Sequence, residues 1–251
     1  MVLLADIKAA IAASECEYVC QRDLDLYKTS AGESLVTQAA AGRHLRLLKA
    51  EANAIAVRLL EDDYPGWITL ADGSRLRPAE QPYQAPVLSS AAIQARLSQV
   101  VAFAEAAMNQ PNVYLWGGTA GPNYDCSGLM QAAFASAGIR LPRDAYQQAA
   151  FAQPLDPAAR QAGDLVFFGS AERITHVALM LDGDRYLHSS GKAQGRNGIG
   201  LDTISNAIDP VSRTYRAQLR GFGRIVQSYQ STGDDFQAVY NQAERATLRM
   251  Q

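Results

Sequence analysis

Asp182-Gly183-Asp184 separates two strand-like runs, Ile174-Thr175-His176-Val177-Ala178-Leu179-Met180-Leu181 and Arg185-Tyr186-Leu187-His188-Ser189, and so predicts an antiparallel hairpin. This turn constrains the fold more than any other stretch, because hairpin register decides which side chains share a face. If the three residues form the loop, Leu181 pairs with Arg185 and Ala178 with His188. Strand side chains alternate with period two, so His176 shares the face of Ala178. The two histidines are then diagonal neighbours, with backbones roughly 7–8 Å apart. A two-residue loop would put them on opposite faces.

A second feature gives that pair of rings something to act on. The turn-prone segment from Gly117 to Asn123 leads into Tyr124-Asp125-Cys126-Ser127-Gly128, after which Leu129, Met130, Ala133, Phe134 and Ala137 recur at helical spacing. Cys126 therefore falls in the first turn of a helix. Unpaired N–H groups there carry partial positive charge and favour a thiolate. A cysteine at a helix start and two histidines on a neighbouring sheet are the parts of a thiol hydrolase. Cys126 attacks a carbonyl, His176 takes and returns the proton, and His188 orients His176. That chemistry requires the three-residue hairpin loop.

The chain has 251 residues, enough for one or two domains. A net charge of −2 offers no basic field for a phosphate backbone, so nucleic acid is not an expected partner. No apolar run is long enough to cross a bilayer. Met1-Val2-Leu3-Leu4-Ala5 begins like an export signal, but no basic leader precedes it and Asp6 and Lys8 interrupt it, so the expected location is cytoplasmic. The cysteines, Cys16, Cys20 and Cys126, are too few and odd in number for a disulfide framework. Cys16 and Cys20 sit four apart, which suits neither a redox pair nor a zinc knuckle.

Along the chain, residues 1–14 place Leu3, Leu4, Ile7, Ala10 and Ile11 on one helical face. From Glu15 to Pro78, short runs rich in Leu, Val, Ile and Tyr predict strands near 18–20, 24–27, 34–37, 44–48, 54–60 and 66–70 of a small β-barrel. Pro78, Pro82 and Pro86 mark an extended linker. Beyond it, helices are expected over Ser90–Asn109, after Asp125 and over 143–152. An antiparallel sheet follows, with strands at 164–168, in the hairpin, at 199–204 and at 220–226. The organisation expected is a helix and barrel over 1–78, a linker over 79–89, an α+β domain over 90–230 and a polar helical tail over 231–251.

Two resemblances follow from these residues. Asp62-Asp63-Tyr64-Pro65-Gly66-Trp67-Ile68 resembles the glycine-tryptophan signature of bacterial SH3-like domains, which implies binding of cell-wall peptide or glycan. Trp67, entering a strand, is expected to bury its ring. Tyr64, on a turn beside two carboxylates, is the expected contact residue. Tyr114-Leu115-Trp116-Gly117-Gly118, Asp125-Cys126-Ser127-Gly128-Leu129, Gly163-Asp164-Leu165-Val166-Phe167-Phe168 and Thr175-His176-Val177-Ala178-Leu179 together resemble the NlpC family of bacterial cell-wall cysteine peptidases. That resemblance implies a papain-like domain of helices packed on an antiparallel sheet. It also implies Cys126 as nucleophile, His176 as base, His188 as the third polar residue and Tyr114 at the oxyanion site. Asp125 and Ser127 are implied near the amino end of the substrate. Leu141-Pro142-Arg143-Asp144-Ala145 stands where the family has Leu-Pro-Arg-Thr-Ser, which makes Arg143 a further binding candidate and leaves Asp144 unassigned.

Family members with an upstream SH3-like domain cleave between γ-D-glutamate and a diamino acid in murein peptides that keep a free N-terminal L-alanine. The resemblance implies the same substrate here, in cell-wall peptide recycling, with no metal and no other cofactor. A free ammonium needs a carboxylate partner, and Asp125 adjoins the sulfur. Tyr64 is expected near it, with the SH3-like domain closing one end of the groove. Competing readings remain for each residue. Cys126, His176 and His188 could be core residues or a zinc site, Asp125 a helix cap, and Gly117 and Gly118 plain turn residues. Another thiol amidase or acyltransferase, or a non-catalytic wall-binding protein, are the alternative functions.

Overall fold

The computed structural model describes residues 4–12, 17–205 and 209–232. Cys16 and all of the expected tail helix beyond Thr232 lie outside the described residues; Ser231 and Thr232 are not helical. The chain divides into two compact units. One runs to Ala85 and resumes from Gln230; the other is Pro86–Tyr229.

The first unit begins with helix α1 (Leu4–Ala12), followed by β1 (Glu17–Cys20), β2 (Leu24–Tyr27), β3 (Leu35–Ala39), β4 (His44–Ala50), β5 (Ala54–Leu59), β6 (Pro65–Thr69) and β7 (Leu76–Pro78). These form one antiparallel sheet in the order β3-β2-β6-β5-β4-β1-β7. Strand β4 shows the cause in miniature. Leu45 and Leu47 point inward to Leu26, Ile55 and Leu59 while His44 and Arg46 stay half-buried on the other face. Ile7 of α1 joins the same core. Six of the seven strands fall where the runs rich in Leu, Val, Ile and Tyr predict them; β7, only three residues long, carries no such run. Trp67 departs from expectation. Gly66 and Ile68 take the inward positions of β6, so period two turns the tryptophan ring to the opposite face, where it is half-buried with Lys49 Nζ 5.9 Å above it. Gly66 is the inward residue because a Cβ there would sit 2.8 Å from Leu26 Cβ.

The second unit contains α2 (Ser90–Gln94), α3 (Leu97–Met108), α4 (Cys126–Ser136), α5 (Ala145–Phe151), β8 (Gln153–Leu155), β9 (Leu165–Gly169), β10 (Ile174–Met180), β11 (Arg185–Ser190), β12 (Gly198–Thr203), α6 (Pro210–Ala217) and β13 (Leu219–Arg224). The single helix expected over Ser90–Asn109 is broken at Ala95 and Arg96, where Arg96 Nη1 turns to the carbonyl of Ala137 at 3.0 Å. The sheet is antiparallel in the order β12-β11-β10-β9-β13-β8. On one face, α3 and α4 bury Val100, Ala104, Leu129 and Phe134 against Val177 and Leu187. Each such fully buried Val, Leu or Phe side chain contributes roughly 1.5–3 kcal/mol. On the other face, Tyr215 and Val211 of α6 pack on Phe168, Met180 and Tyr186. Helix α6 lies outside the expected elements: it is short, and half of its residues are polar or charged.

Candidate active site

The β10–β11 register pairs Leu179 with Leu187 and Met180 with Tyr186, the alignment of a three-residue loop. His176 and His188 accordingly share the face that α6 covers. Their rings meet edge to face with centroids 4.9 Å apart, and His176 Nε2 lies 2.7 Å from His188 Nδ1. Tyr215 lies against both, its ring 4.4 Å from His176 and 4.8 Å from His188, and Tyr186 flanks His188 at 5.1 Å. Burial, then the neighbouring His188, hold the His176 imidazole well below its usual pKa. Burial also lowers His188, against the pull of Asp202 in the opposite direction.

Cys126 is the first residue of α4, and Asp125 is its N-cap. The Asp125 carboxylate accepts the N–H of Gly128 at 2.7 Å and of Gly117 at 2.9 Å, with the Ser127 hydroxyl at 3.3 Å. Arg143, 2 % exposed, then grips both oxygens, Nη1 to Oδ1 at 3.2 Å and Nη2 to Oδ2 at 2.6 Å, and also donates to Ser127 Oγ at 3.0 Å. This fork is a charge-assisted pair that fixes the start of the helix. Gln148, fully buried on α5, secures the arrangement by donating to the carbonyls of Ser127 and Pro142. Asp144 opens α5 in a capping box with Gln147. Gly128 permits the close approach, since a Cβ there would stand 2.0 Å from the carbonyl of Gly118.

The thiol of Cys126 is pushed up to about 12, first by burial and then by the Asp125 carboxylate. The backbone N–H groups of Ser127 and Val177 and the Arg143 guanidinium act the other way. The helix-start effect expected from the sequence is therefore present but loses to burial. Val177 adjoins His176, so its hydrogen bond to sulfur brings the thiol to the His176 end of β10. Past Leu179 and Leu187 the two strands form no further pair among the described residues. Ser189 Oγ reaches the carbonyl of Tyr124 at 2.6 Å from β11. Tyr114 is half-buried beside Gly191. Burial, then the charges of Cys126 and Asp125, raise its phenol, which stays a protonated donor.

The structure thus gathers Cys126, Tyr114, Asp125, Ser127, His176, His188 and Arg143 in one unit. Arg143 does not face solvent as a substrate contact; its guanidinium is buried and holds Asp125, the residue before Cys126. An incoming ammonium would meet an Asp125 carboxylate that already accepts the bonds described above. Tyr64 belongs to the first unit, half-buried on the turn before β6, with its N–H on Asp62 Oδ1 at 3.2 Å. Cys20 is buried, with its thiol also pushed up to about 12.

Sequence reasoning missed four neighbours of the site. Asp202 on β12 lies 2.6 Å from His188 Nε2, and Arg196 Nη2 and Ser212 Oγ each hold it at 2.8 Å. The fourth is Tyr215, whose ring packs on both histidines. With Nδ1 toward His176 and Nε2 toward Asp202, His188 has no ring nitrogen left for a metal, which removes the Cys-His-His zinc reading.

Residues 111–218 match the NlpC/P60 family, and residues 26–72 match the bacterial dipeptidyl-peptidase SH3 domain. A γ-D-glutamyl-L-lysine dipeptidyl-peptidase of Bacillus subtilis is 46% identical over 81 residues, 30% of this chain and 27% of the relative. The bifunctional muramidase/DL-endopeptidase CwlT of the same organism is 36% identical over 125 residues, 48% of this chain and 35% of the relative. The matched regions therefore span about a third of these relatives' own lengths. A crystal structure of an NlpC/P60 family protein from Bacillus cereus aligns over 88% of this chain and 66% of its own, at 19% identity and a TM-score of 0.46. The chain carries an NlpC/P60 domain preceded by an SH3 domain of the bacterial dipeptidyl-peptidase type.

Proposed function

We propose that the protein is a cysteine endopeptidase that hydrolyses the bond between γ-D-glutamate and a diamino acid in murein peptides with a free N-terminal L-alanine. The observation that carries this is Cys126 at the first turn of α4, with its sulfur on the N–H of Val177 and a hydrogen-bonded His176–His188 pair beginning at the next residue. The relative named γ-D-glutamyl-L-lysine dipeptidyl-peptidase supports the choice of bond.

In this mechanism Cys126 and His176 start neutral, since one pKa is raised and the other lowered. His176 removes the thiol proton as sulfur attacks the carbonyl, then delivers it to the leaving amine; water hydrolyses the thioester. The N–H groups at the start of α4 and the Tyr114 hydroxyl stabilise the oxyanion. Asp125 and Ser127 are the proposed contacts for the amino end of the substrate. The test is mass spectrometry of products from L-alanyl-γ-D-glutamyl-diamino acid peptide, with and without a blocked amino terminus. Dipeptide release from the free peptide alone, abolished in Cys126→Ser, is the expected result. Equal cleavage of the blocked peptide would remove the ammonium requirement, and no cleavage of either would remove the peptidase.

A role in recycling imported wall peptides from within the cytoplasm is proposed with it. Cell fractionation that finds the protein mainly outside the membrane would overturn that part.

A further inference from the structure

A neutral imidazole holds its proton on one of two nitrogens, and only one choice lets His176 act as a base toward Cys126. Its Nε2 is committed to His188, so the base must be Nδ1, and Nδ1 must be bare. Hydrogen bonding between two neutral rings does not by itself decide this, because either ring could donate. The decision has to come from the far end of the chain, where His188 Nε2 lies 2.6 Å from Asp202 Oδ2.

We propose that Asp202 is a positioning residue for the proposed hydrolysis, which orders the protons on both histidines so that His176 presents a bare Nδ1 to the thiol. A carboxylate accepts and cannot donate, so His188 must carry its hydrogen on Nε2. His188 Nδ1 is then an acceptor, and His176 in turn must carry its hydrogen on Nε2. The carboxylate is itself fixed. Its side chain is 1% exposed, with Ser212 Oγ on Oδ1 and Arg196 Nη2 on Oδ2, both at 2.8 Å. A flip of the His188 ring would exchange its nitrogens, and Tyr186 and Tyr215 pack on it from two elements, at 5.1 and 4.8 Å. Phe168 at 5.9 Å and Tyr215 at 4.4 Å hold His176 in the same way.

The proton balance is simple. The S–H bond of Cys126 breaks as the S–C bond forms, and the proton goes to His176 Nδ1. That proton leaves with the amine when the C–N bond breaks. The hydrogens on both Nε2 atoms stay in place throughout, and Asp202 acts on the reaction only through His188.

The proposal rests on the hydrolase reading, but its first test does not need turnover. The full chain contains three histidines, His44, His176 and His188, so 15N labelling of histidine gives a tractable spectrum. At neutral pH, both His176 and His188 should show a protonated Nε2 and a bare Nδ1. A proton found on Nδ1 of either ring overturns the proposal, and this measurement on the unaltered protein decides the matter even if variants fail to fold. The second test is Asp202→Asn. Replacing the carboxylate that touches the base by its amide costs about 10⁴ in kcat in the serine-protease triad, by imposing the wrong tautomer. One ring further away, a fall of at least about 10²-fold is expected. KM should change little, Nδ1 of His176 should become protonated, and Asp202→Glu should recover part of the rate. Wild-type kcat in Asp202→Asn with unchanged tautomers overturns the proposal. Should the unaltered protein cleave no murein peptide, the hydrolase reading fails, while the histidine spectrum still reports whether Asp202 orders the protons.

Discussion

Arg143 reaches back across the sequence to close a two-pronged ion pair with Asp125, the residue that immediately precedes Cys126. Both side chains are nearly inaccessible, so the charge on either is tolerable only with the other present. Removing one partner of a buried pair costs about 3–5 kcal/mol, because the survivor is left uncompensated. Asp125 keeps its two backbone donors, which puts Arg143→Ala near the lower end, about 3 kcal/mol. Arg143→Lys restores charge without the fork and should recover only part of the loss. Urea unfolding measures both; a loss below about 1 kcal/mol for Arg143→Ala would show that the backbone donors alone support the carboxylate.

The thiol and the imidazole are displaced in opposite directions, Cys126 up to about 12 and His176 downward. The proton therefore stays on sulfur in the free protein, and no thiolate–imidazolium pair is preformed. Alkylation of Cys126 by iodoacetamide, assigned by peptide mapping, should rise with pH from 7 to 10, by close to tenfold per unit, following the thiolate fraction. A rate that is already flat from pH 5 upward would mean that the proton has moved to His176 before substrate arrives.

Much of this site is legible without coordinates, for local reasons. The hairpin register follows from one turn and strict alternation, and the cysteine helix from a cap, a glycine and apolar spacing. Asp202 is legible only in retrospect. It sits opposite Tyr186, which shares its face with His188. The loop from Gly191 to Asn197, with Gly195 and Asn197 at positive φ, leaves that register open to a reader of the sequence. The pairing of Arg143 with Asp125 is not legible in the sequence, because nothing near Arg143 in the chain shows that its partner lies eighteen residues upstream. Tyr215 rides on a short helix whose polar composition hides the one face it buries.

Tyr114 offers a cleaner separation of chemistry from folding. Its ring packs near Gly191, while its hydroxyl remains protonated because burial and the charges of Cys126 and Asp125 all oppose ionisation. Removing one oxyanion donor costs about 10²–10³ in kcat. Tyr114→Phe keeps the ring, so kcat for the murein peptide should fall about 10²-fold with KM and the unfolding midpoint unchanged. An unchanged kcat would take the hydroxyl out of the reaction.

The two buried histidines also set a pH window for stability. Each has its folded-state pKa below the ordinary value of 6.5, chiefly through burial. Below that value the unfolded chain takes up protons that the folded chain refuses, so stability must fall as pH drops through 6.5 toward the folded-state values. Above it both rings are neutral in either state and contribute no slope. The carboxylates whose pKa is lowered, such as Asp182, Asp184 and Asp209, start from 3.8 and lose their contribution only at more acid pH. The windows are thus separable. Urea midpoints should hold steady from pH 8 to 7 and decline from 6.5 to 5, and a His176→Asn/His188→Asn protein should lose most of that decline. If the double variant keeps the same slope, the acid sensitivity in this range belongs to other groups, and the buried pair is not the source of it.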